Sequence, residues 1–276
     1  MDSPLRNAYL DALGIDRWVS RDAPAELAPP EMVSERDNRR NSRSEAAPAM
    51  ATASELRPLS LSDTTSLPTV ARAPLPADID WPVLRSTVAG CTACDQLCKT
   101  RTQTVFGVGN TQADWLIIGE APGAEEDRQG EPFVGRAGQL LNAMLLAIGL
   151  PRETVFIANV LKCRPPGNRD PKPEEVSNCL PYLSAQIRLL KPKIILAVGR
   201  IAAQNLLATD APLARLRGKL HRFGEADTPL VITYHPAYLL RAPADKRKAW
   251  EDLKFARATY AKLAAGGTPA GTTGRD

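Results

Sequence analysis

The sequence lacks the features of a membrane-spanning or secreted protein. No apolar run reaches the length of about 18 residues that suggests a transmembrane helix, so no membrane contact is predicted. The first ten residues, MDSPLRNAYL, do not place a basic stretch before an apolar one, as a secretion signal would. We therefore expect a cytoplasmic protein, in a compartment where disulfides are rare.

Lysine is absent from the first 78 residues. That segment holds nine arginines and twelve acidic residues, whereas residues 79–276 hold 26 basic and 19 acidic residues. The net charge of +4 thus divides into −3 and +7. A basic folded region is typical of nucleic-acid-binding proteins, but ordinary solubilising charge explains it equally well.

The N-terminal part of the chain has no pattern of a packed domain. Residues 21–78 are rich in Pro, Ala, Ser and Arg and contain neither Phe nor Cys, which predicts a disordered linker. Residues 1–20 carry apolar side chains between Tyr9 and Trp18, which favour a short amphipathic docking segment. A tail without a partner is the alternative.

Residues 79–265 alternate between apolar strands and helical patterns. This alternation predicts an α/β domain with a parallel sheet covered by helices on both faces, a three-layer sandwich. Residues 266–276 are rich in Gly and Thr and are expected to fray. Strands are predicted at 114–119, 155–160, 193–198 and 230–233, and the helices that follow them at 136–149, 173–190, 200–208 and 244–264.

Four of the five cysteines form two pairs. Cys91 and Cys94 are a CxxC motif, while Cys163 and Cys179 bracket a loop and the first turn of a predicted helix. Four thiolates at one point hold either a zinc ion or a [4Fe–4S] cluster, and the spacing does not choose between them. Buried structural thiols are the third possibility. Cys98 is interpreted as a nearby free thiol.

Three polar residues follow predicted strands. Glu120, Asn159 and His235 come at or just after strand ends, and the carboxyl ends of parallel strands meet at one edge of a sheet. We therefore expect them to lie together and to form a ligand site. Only two histidines are present, and the other, His221, is interpreted as structural.

Four motifs resemble those of the family 4 uracil-DNA glycosylases, the iron–sulfur enzymes of that superfamily. They are GEAPGAEED (119–127), EPFVGRAGQLL (131–141), NVLKCRPPGNRDP (159–171) and HPAYLLR (235–241). The resemblance covers residues 85–262 and implies a four-stranded parallel sheet between helices. It also implies removal of uracil from DNA in base excision repair, which leaves an abasic site. It favours iron over zinc, with a structural [4Fe–4S] cluster held by Cys91, Cys94, Cys163 and Cys179.

The resemblance assigns roles at the uracil pocket. It implies that Phe133 stacks on the flipped base, that Asn159 reads the Watson–Crick edge and that His235 donates to O2 of the leaving uracil. Backbone N–H groups of the 119–123 turn, which includes Gly119, Ala121 and Gly123, are expected to help hold O2.

The motifs contain two candidates for the group that positions water. Ala121 stands where family 1 enzymes carry an aspartate. Glu120 and Glu126 are therefore the candidates for orienting water, and Glu126 is also a candidate for lining the pocket against the methyl group of thymine.

Uracil-containing DNA is the partner that the resemblance implies. Leu239 matches the wedge that fills the gap left by the flipped base. Arg164, Arg169, Lys219 and Arg241 are candidates for phosphate contacts. We expect a monomer. The N-terminal run LDALGIDRWV resembles the N-terminal peptide of the replicative clamp-loader psi subunit, which implies a partner in the replication or repair machinery.

Two other functions compete with uracil excision. One is that of a related subgroup that traps itself covalently on DNA through a histidine and carries an arginine-rich insertion near the position of Gly218. This chain has no such insertion, although His221 is close in sequence. The other is a catalytically inactive iron–sulfur protein that binds DNA.

Overall fold

The computed structural model describes residues 75–224 and 226–266. The predicted docking segment 1–20, most of the linker 21–78 and the C-terminal tail lie outside the described residues, so those predictions are not tested. No helix in the described ranges is both long enough and apolar enough to cross a bilayer.

A six-stranded sheet forms the middle layer. The strands are β1 (Val108–Gly109), β2 (Trp115–Gly119), β3 (Phe156–Asn159), β4 (Ile194–Val198), β5 (His221–Phe223) and β6 (Thr228–Thr233). Their order is β1-β3-β2-β4-β6-β5. The four central strands are parallel, as predicted, and the short edge strands β1 and β5 add antiparallel pairs to them.

Helices cover both faces of the sheet, which confirms the three-layer architecture. The predicted helices of the folded region are present, with ends that differ from the prediction by two residues at most. The helices are α1 (Trp81–Ala89), α2 (Asp95–Thr100), α3 (Ala124–Gln129), α4 (Arg136–Ala147), α5 (Pro173–Leu190), α6 (Arg200–Leu207), α7 (Leu213–Leu216), α8 (Pro236–Arg241) and α9 (Lys246–Ala264).

Successive side chains of β2 enter opposite cores. Leu116 and Ile118 pack on the side of α1 and α5, whereas Trp115 and Ile117 pack on the side of α4 and α9. All five residues of the strand are buried. Because both faces are covered, the central strands read as continuous apolar runs, with no polar alternation.

The strand order creates a crevice at the carboxyl ends of the parallel strands. The chain passes from β2 to β3 on one side, and then to β4 and β6 on the other side. Ligand sites of open α/β sheets lie where the direction of winding reverses in this way. Here the reversal brings the residues that end or follow β2, β3 and β6 to one edge.

Candidate active site

A cavity of about 410 Å³ lies at this edge of the sheet. Its size is in the range of small-molecule sites. The structure brings together Glu120, Asn159 and His235, as expected from the strand ends. The predicted site residues that line the cavity are Glu120, Ala121, Gly123, Glu126, Phe133, Asn159, Arg169, His235 and Arg241.

Gly119 allows Phe133 and Asn159 to approach each other. A Cβ atom at Gly119 would lie 2.6 Å from Cζ of Phe133 and closer still to Oδ1 of Asn159. The side chain of Asn159 is buried, yet its Oδ1 has no hydrogen-bond partner among the described residues. Because buried polar atoms are nearly always paired, this oxygen is placed to accept a hydrogen bond from a ligand.

Phe133 adopts a strained backbone conformation. Its φ of 54° is in the left-handed region, which bulky residues avoid. Arg152 holds this conformation, since its guanidinium donates to the carbonyl of Phe133 at 3.2 Å and to that of Pro132 at 2.6 Å. Strain of this kind persists only where the surroundings enforce it, and it is common at ligand sites.

Glu126 fixes the same loop from the other side. One carboxylate oxygen accepts from the N–H groups of Val134 (3.0 Å) and Gly135 (3.1 Å), and the other accepts from Gly123 N–H (3.1 Å). Both oxygens are therefore engaged by the backbone. This changes the expectation for Glu126, because its contacts make it a clamp for the Phe133 loop and leave little capacity to orient water.

His235 faces the cavity as a neutral donor. Its Nδ1 accepts a hydrogen bond from the backbone N–H of Ala237 at 3.1 Å, so the ring proton is on Nε2. Burial and the charge of Arg241 lower the pKa of His235 to about 4. The ring centroid is 5.6 Å from that of Phe133. Gly199 makes room for the ring, because a Cβ there would lie 2.9 Å from Cβ of His235.

Glu120 lies in the cavity beside a second carboxylate. Burial and the negative charge of Asp170 raise the pKa of Glu120 to about 7, although Arg200 acts in the opposite direction. Arg200 is bound to Asp170 at 2.8 Å. Glu120 is therefore partly ionised near neutral pH, and a pKa near the working pH suits a group that exchanges protons.

The structure does not support Leu239 as the DNA wedge. Its side chain is 1 % exposed and packs in the core between α4 and α9. The helical turn of α8 directs it inward, whereas the neighbouring Leu240 is 40 % exposed. The position of Leu239 in the motif does not show which side of α8 faces the core, so its burial could not be predicted from the motif.

The residues that were predicted to contact DNA phosphates lie in different surroundings. Arg169 forms a two-pronged ion pair with Glu175 and is only partly exposed, so its guanidinium is already engaged within the protein. Arg164 donates to Asn168, and Lys219 is exposed but lies away from the cavity. Arg241 is exposed at the cavity rim.

The four paired cysteines converge beside the same apolar core. Arg101 connects two of them, since it donates to Sγ of Cys163 at 2.9 Å and to the carbonyl of Cys91 at 2.6 Å. Burial raises the pKa of Cys94, of Cys163 and, to about 12, of Cys179. No three ligating side chains in the described ranges are grouped closely enough to hold a single metal ion.

A buried lysine connects the cysteines with Asn159. The Nζ atom of Lys162 donates to the carbonyl of Asn159 at 2.8 Å and to Oε1 of Gln186 at 2.6 Å. Its backbone N–H donates to Sγ of Cys179. Burial lowers its pKa to about 8, and no carboxylate of the described chain pairs with it. The cysteine side of the domain therefore holds the backbone of Asn159.

Sequence reasoning did not identify Arg152, Gly199 or Lys162. Only Lys162 has a local signal, because it places a charge within the apolar run that ends at Cys163. Arg152 and Gly199 act on residues 19 and 36 positions away, so no local pattern indicates their roles.

The fold is that of an open α/β protein with a parallel sheet. Its crevice presents an aromatic ring, an unpaired amide oxygen and a neutral imidazole, a set of groups suited to a small planar polar ligand. Residues 106–254 match the family model described as the uracil DNA glycosylase superfamily. This match covers more than half of the sequence, and the chain belongs to that superfamily.

Curated relatives narrow the family. The chain is 47% identical over 174 residues to a type-4 uracil-DNA glycosylase of Archaeoglobus fulgidus, covering 60% of this chain and 86% of that protein. It is 45% identical over 181 residues to the type-4 enzyme of Pyrobaculum aerophilum, covering 63% and 92%. For the type-4 enzyme of Thermotoga maritima the identity is 40% over 184 residues, covering 65% and 94%. These relatives confirm the resemblance of the four motifs, and the chain is a member of the type-4 uracil-DNA glycosylases.

Proposed function

We propose that this glycosylase flips deoxyuridine out of DNA into the cavity and hydrolyses its N-glycosidic bond. The products are free uracil and an abasic site, which is the first step of base excision repair. The observation that carries the proposal is the meeting of Phe133, Asn159 and His235 in one cavity. An aromatic face, an amide and a neutral donor are the groups that binding and releasing uracil require.

Asn159 gives the pocket its preference for uracil over cytosine. Its unpaired Oδ1 accepts from N3–H of uracil, and its amide N–H group donates to O4. Cytosine presents an acceptor at N3 and a donor at the exocyclic amine, so both contacts are reversed. Cytosine in the pocket would leave buried polar groups without hydrogen-bond partners, at a cost of about 1–3 kcal/mol for each.

His235 stabilises the leaving group. As the glycosidic bond breaks, negative charge develops on the uracil ring, and the Nε2–H of the neutral imidazole donates to O2. A fixed donor in a site shielded from water stabilises such charge without reorganisation. Glu120, at the cavity wall, orients the water that attacks the sugar.

We also propose that Cys91, Cys94, Cys163 and Cys179 hold a [4Fe–4S] cluster. The support is the shared location of the four cysteines beside one apolar core and the nearby cations Arg101 and Lys162. The cysteine spacing suits either a cluster or zinc, and the similarity to type-4 enzymes is what favours the cluster. When bound, the cluster supplies structural cross-linking of the loops behind Asn159.

A glycosylase assay tests the function. Single- and double-stranded oligonucleotides with one uracil are incubated with the enzyme, and free uracil and strand cleavage at abasic sites are measured. We expect uracil release, with no adduct that survives SDS. An adduct would favour the covalent alternative, although Nε2 of His221 is bound to the carbonyl of Leu216, away from the cavity. Intact DNA that is only bound would indicate an inactive binding protein.

The cofactor has a separate test. Iron and sulfide are quantified in protein purified without oxygen, and the visible absorption of the wild type is compared with that of Cys179→Ser. We expect about four irons per chain in the wild type and loss of the absorption in the variant. Zinc in place of iron would overturn the proposal.

The cytoplasmic location, the monomeric state and a protein partner for residues 1–20 stay predictions.

A further inference from the structure

Three large apolar side chains of the described chain are substantially exposed, and two of them are on α8 next to the cavity. Tyr238 is 38 % exposed and Leu240 is 40 % exposed, while Val83 lies on α1. Single exposed apolar residues are normal on a protein surface. Two on a six-residue helix that begins directly after His235 indicate a surface that meets a partner.

Tyr238 is held rigidly even though it is exposed. Its ring stacks on that of Tyr234, with centroids 5.2 Å apart and an interplanar angle of 15°. Its hydroxyl donates to Oδ2 of Asp245 at 2.6 Å. The ring therefore has a fixed orientation, while its remaining surface is open to solvent at the cavity rim.

The Tyr234 ring, on which Tyr238 stacks, is also held in place. The guanidinium of Arg217 lies 4.5 Å from the centroid of the Tyr234 ring. Arg217 is fixed by two hydrogen bonds to the buried Asp252, at 2.7 and 2.8 Å. Arg217, Tyr234 and Tyr238 form a three-layer stack, here called the aromatic ladder, whose outer layer is Tyr238.

We propose that Tyr238 is a stacking platform for the nucleobase next to the flipped uridine in the same strand. This inference rests on the proposed function. When uridine leaves the helix, its neighbour loses a stacking partner, and a rigid aromatic ring at the cavity rim replaces that partner. His235 and Tyr238 both line the cavity, so a base adjacent to the uridine is the one within reach of the platform.

The position of the platform favours the same strand over the opposite one. The uridine occupies the cavity that Tyr238 borders, and its neighbours are joined to it by one phosphate each. Arg241, exposed at the same rim, is placed to contact such a phosphate. Stacking of a base on an aromatic side chain contributes roughly 5- to 150-fold in affinity, which corresponds to about 1–3 kcal/mol.

The test uses single-stranded oligonucleotides that contain 2′-fluoro-2′-deoxyuridine, which resists cleavage. The base on the 5′ side, or that on the 3′ side, is replaced by an abasic spacer. Affinity is measured for the wild type, Tyr238→Ala and Tyr238→Phe, with Val83→Ala as a control for removal of an exposed apolar group far from the cavity. Thermal melting of each variant establishes that it is folded.

We expect the wild type and Tyr238→Phe to lose about 5- to 150-fold in affinity when one neighbouring base is removed. Tyr238→Ala should bind the intact oligonucleotide correspondingly less tightly and should show no further loss with the spacer. Val83→Ala should behave like the wild type. Equal sensitivity of the wild type and Tyr238→Ala to the spacer would overturn the proposal. Failure of the proposed function is distinguishable, since the wild type would then release no uracil from a cleavable oligonucleotide.

Discussion

The backbone N–H of Ala237 donates to Nδ1 of His235 over 3.1 Å. This bond makes Nδ1 an acceptor and leaves the proton of the neutral ring on Nε2, in a side chain that lines the cavity. One contact within the first turn of α8 thus determines the tautomer. Burial, which lowers the pKa of the ring to about 4, keeps that donor uncharged.

The first prediction concerns this donor. His235→Ala should lower the single-turnover excision rate by about 10²–10³-fold, which is typical of removing one donor to a developing oxyanion. His221→Ala is the matched control, since it removes the other imidazole on an edge strand, and its rate should stay near that of the wild type. A wild-type rate in His235→Ala would show that leaving-group stabilisation does not depend on this residue.

The second prediction concerns the pH dependence of kcat/KM, which reports groups of the free enzyme. Because the pKa of Glu120 is raised to about 7, its carboxylate form increases as pH rises through 7. The kcat/KM of the wild type should therefore rise between pH 5 and pH 8. The kcat/KM of Glu120→Gln should be lower and should not change with pH over this interval. His235 is neutral throughout it. A profile that keeps its inflection in Glu120→Gln would assign the ionisation to another group.

The third prediction separates a clamp from a water-orienting residue. Glu126→Ala removes three hydrogen bonds to the backbone, so it should lower the free energy of unfolding by roughly 1–3 kcal/mol and reduce excision as well. Glu125→Ala, at an exposed position of the same helix, should change neither. Reduced activity with unchanged stability in Glu126→Ala would instead support the original interpretation of Glu126 as a group that orients water.

The fourth prediction uses the lack of a side chain at Gly119. Gly119→Ala forces Phe133 and Asn159 apart, which should greatly reduce both excision and the affinity for free uracil. The strain should also lower the free energy of unfolding by about 1–3 kcal/mol. Gly90→Ala is the control, because its new Cβ would make only an ordinary contact of 3.6 Å with the carbonyl of Ser86. Normal uracil binding by Gly119→Ala would mean that the pocket can rearrange.

The sheet could be predicted well because its strands are buried on both faces. A strand such as β2, with five buried residues, leaves a continuous apolar run that ends abruptly at a glycine. The edge strands β1 and β5 are only two and three residues long, so they leave little pattern. The winding of the parallel strands also explains why Glu120, Asn159 and His235 could be expected at one edge.

The details of the site could not be predicted from the motifs. Glu126 and Arg169 have charges that suit chemistry or phosphate binding, yet each is occupied by partners within the fold. Leu239 and Leu240 are adjacent and identical in type, and only the rotation of α8 decides which is buried. The strained φ of Phe133 depends on Arg152, which lies 19 residues further along the chain.

The sequence by itself determined the four central strands with the helices that follow them, the meeting of Glu120, Asn159 and His235 at one edge of the sheet and, through long motifs, the family. These properties depend on local periodicity and on short segments that are continuous in the chain. Only the tertiary structure decided the tautomer of His235, the clamp at Phe133, the link from Lys162 to Asn159 and the aromatic ladder at the rim. Each of these depends on distances and solvent exclusion, which arise when residues from separate segments pack together.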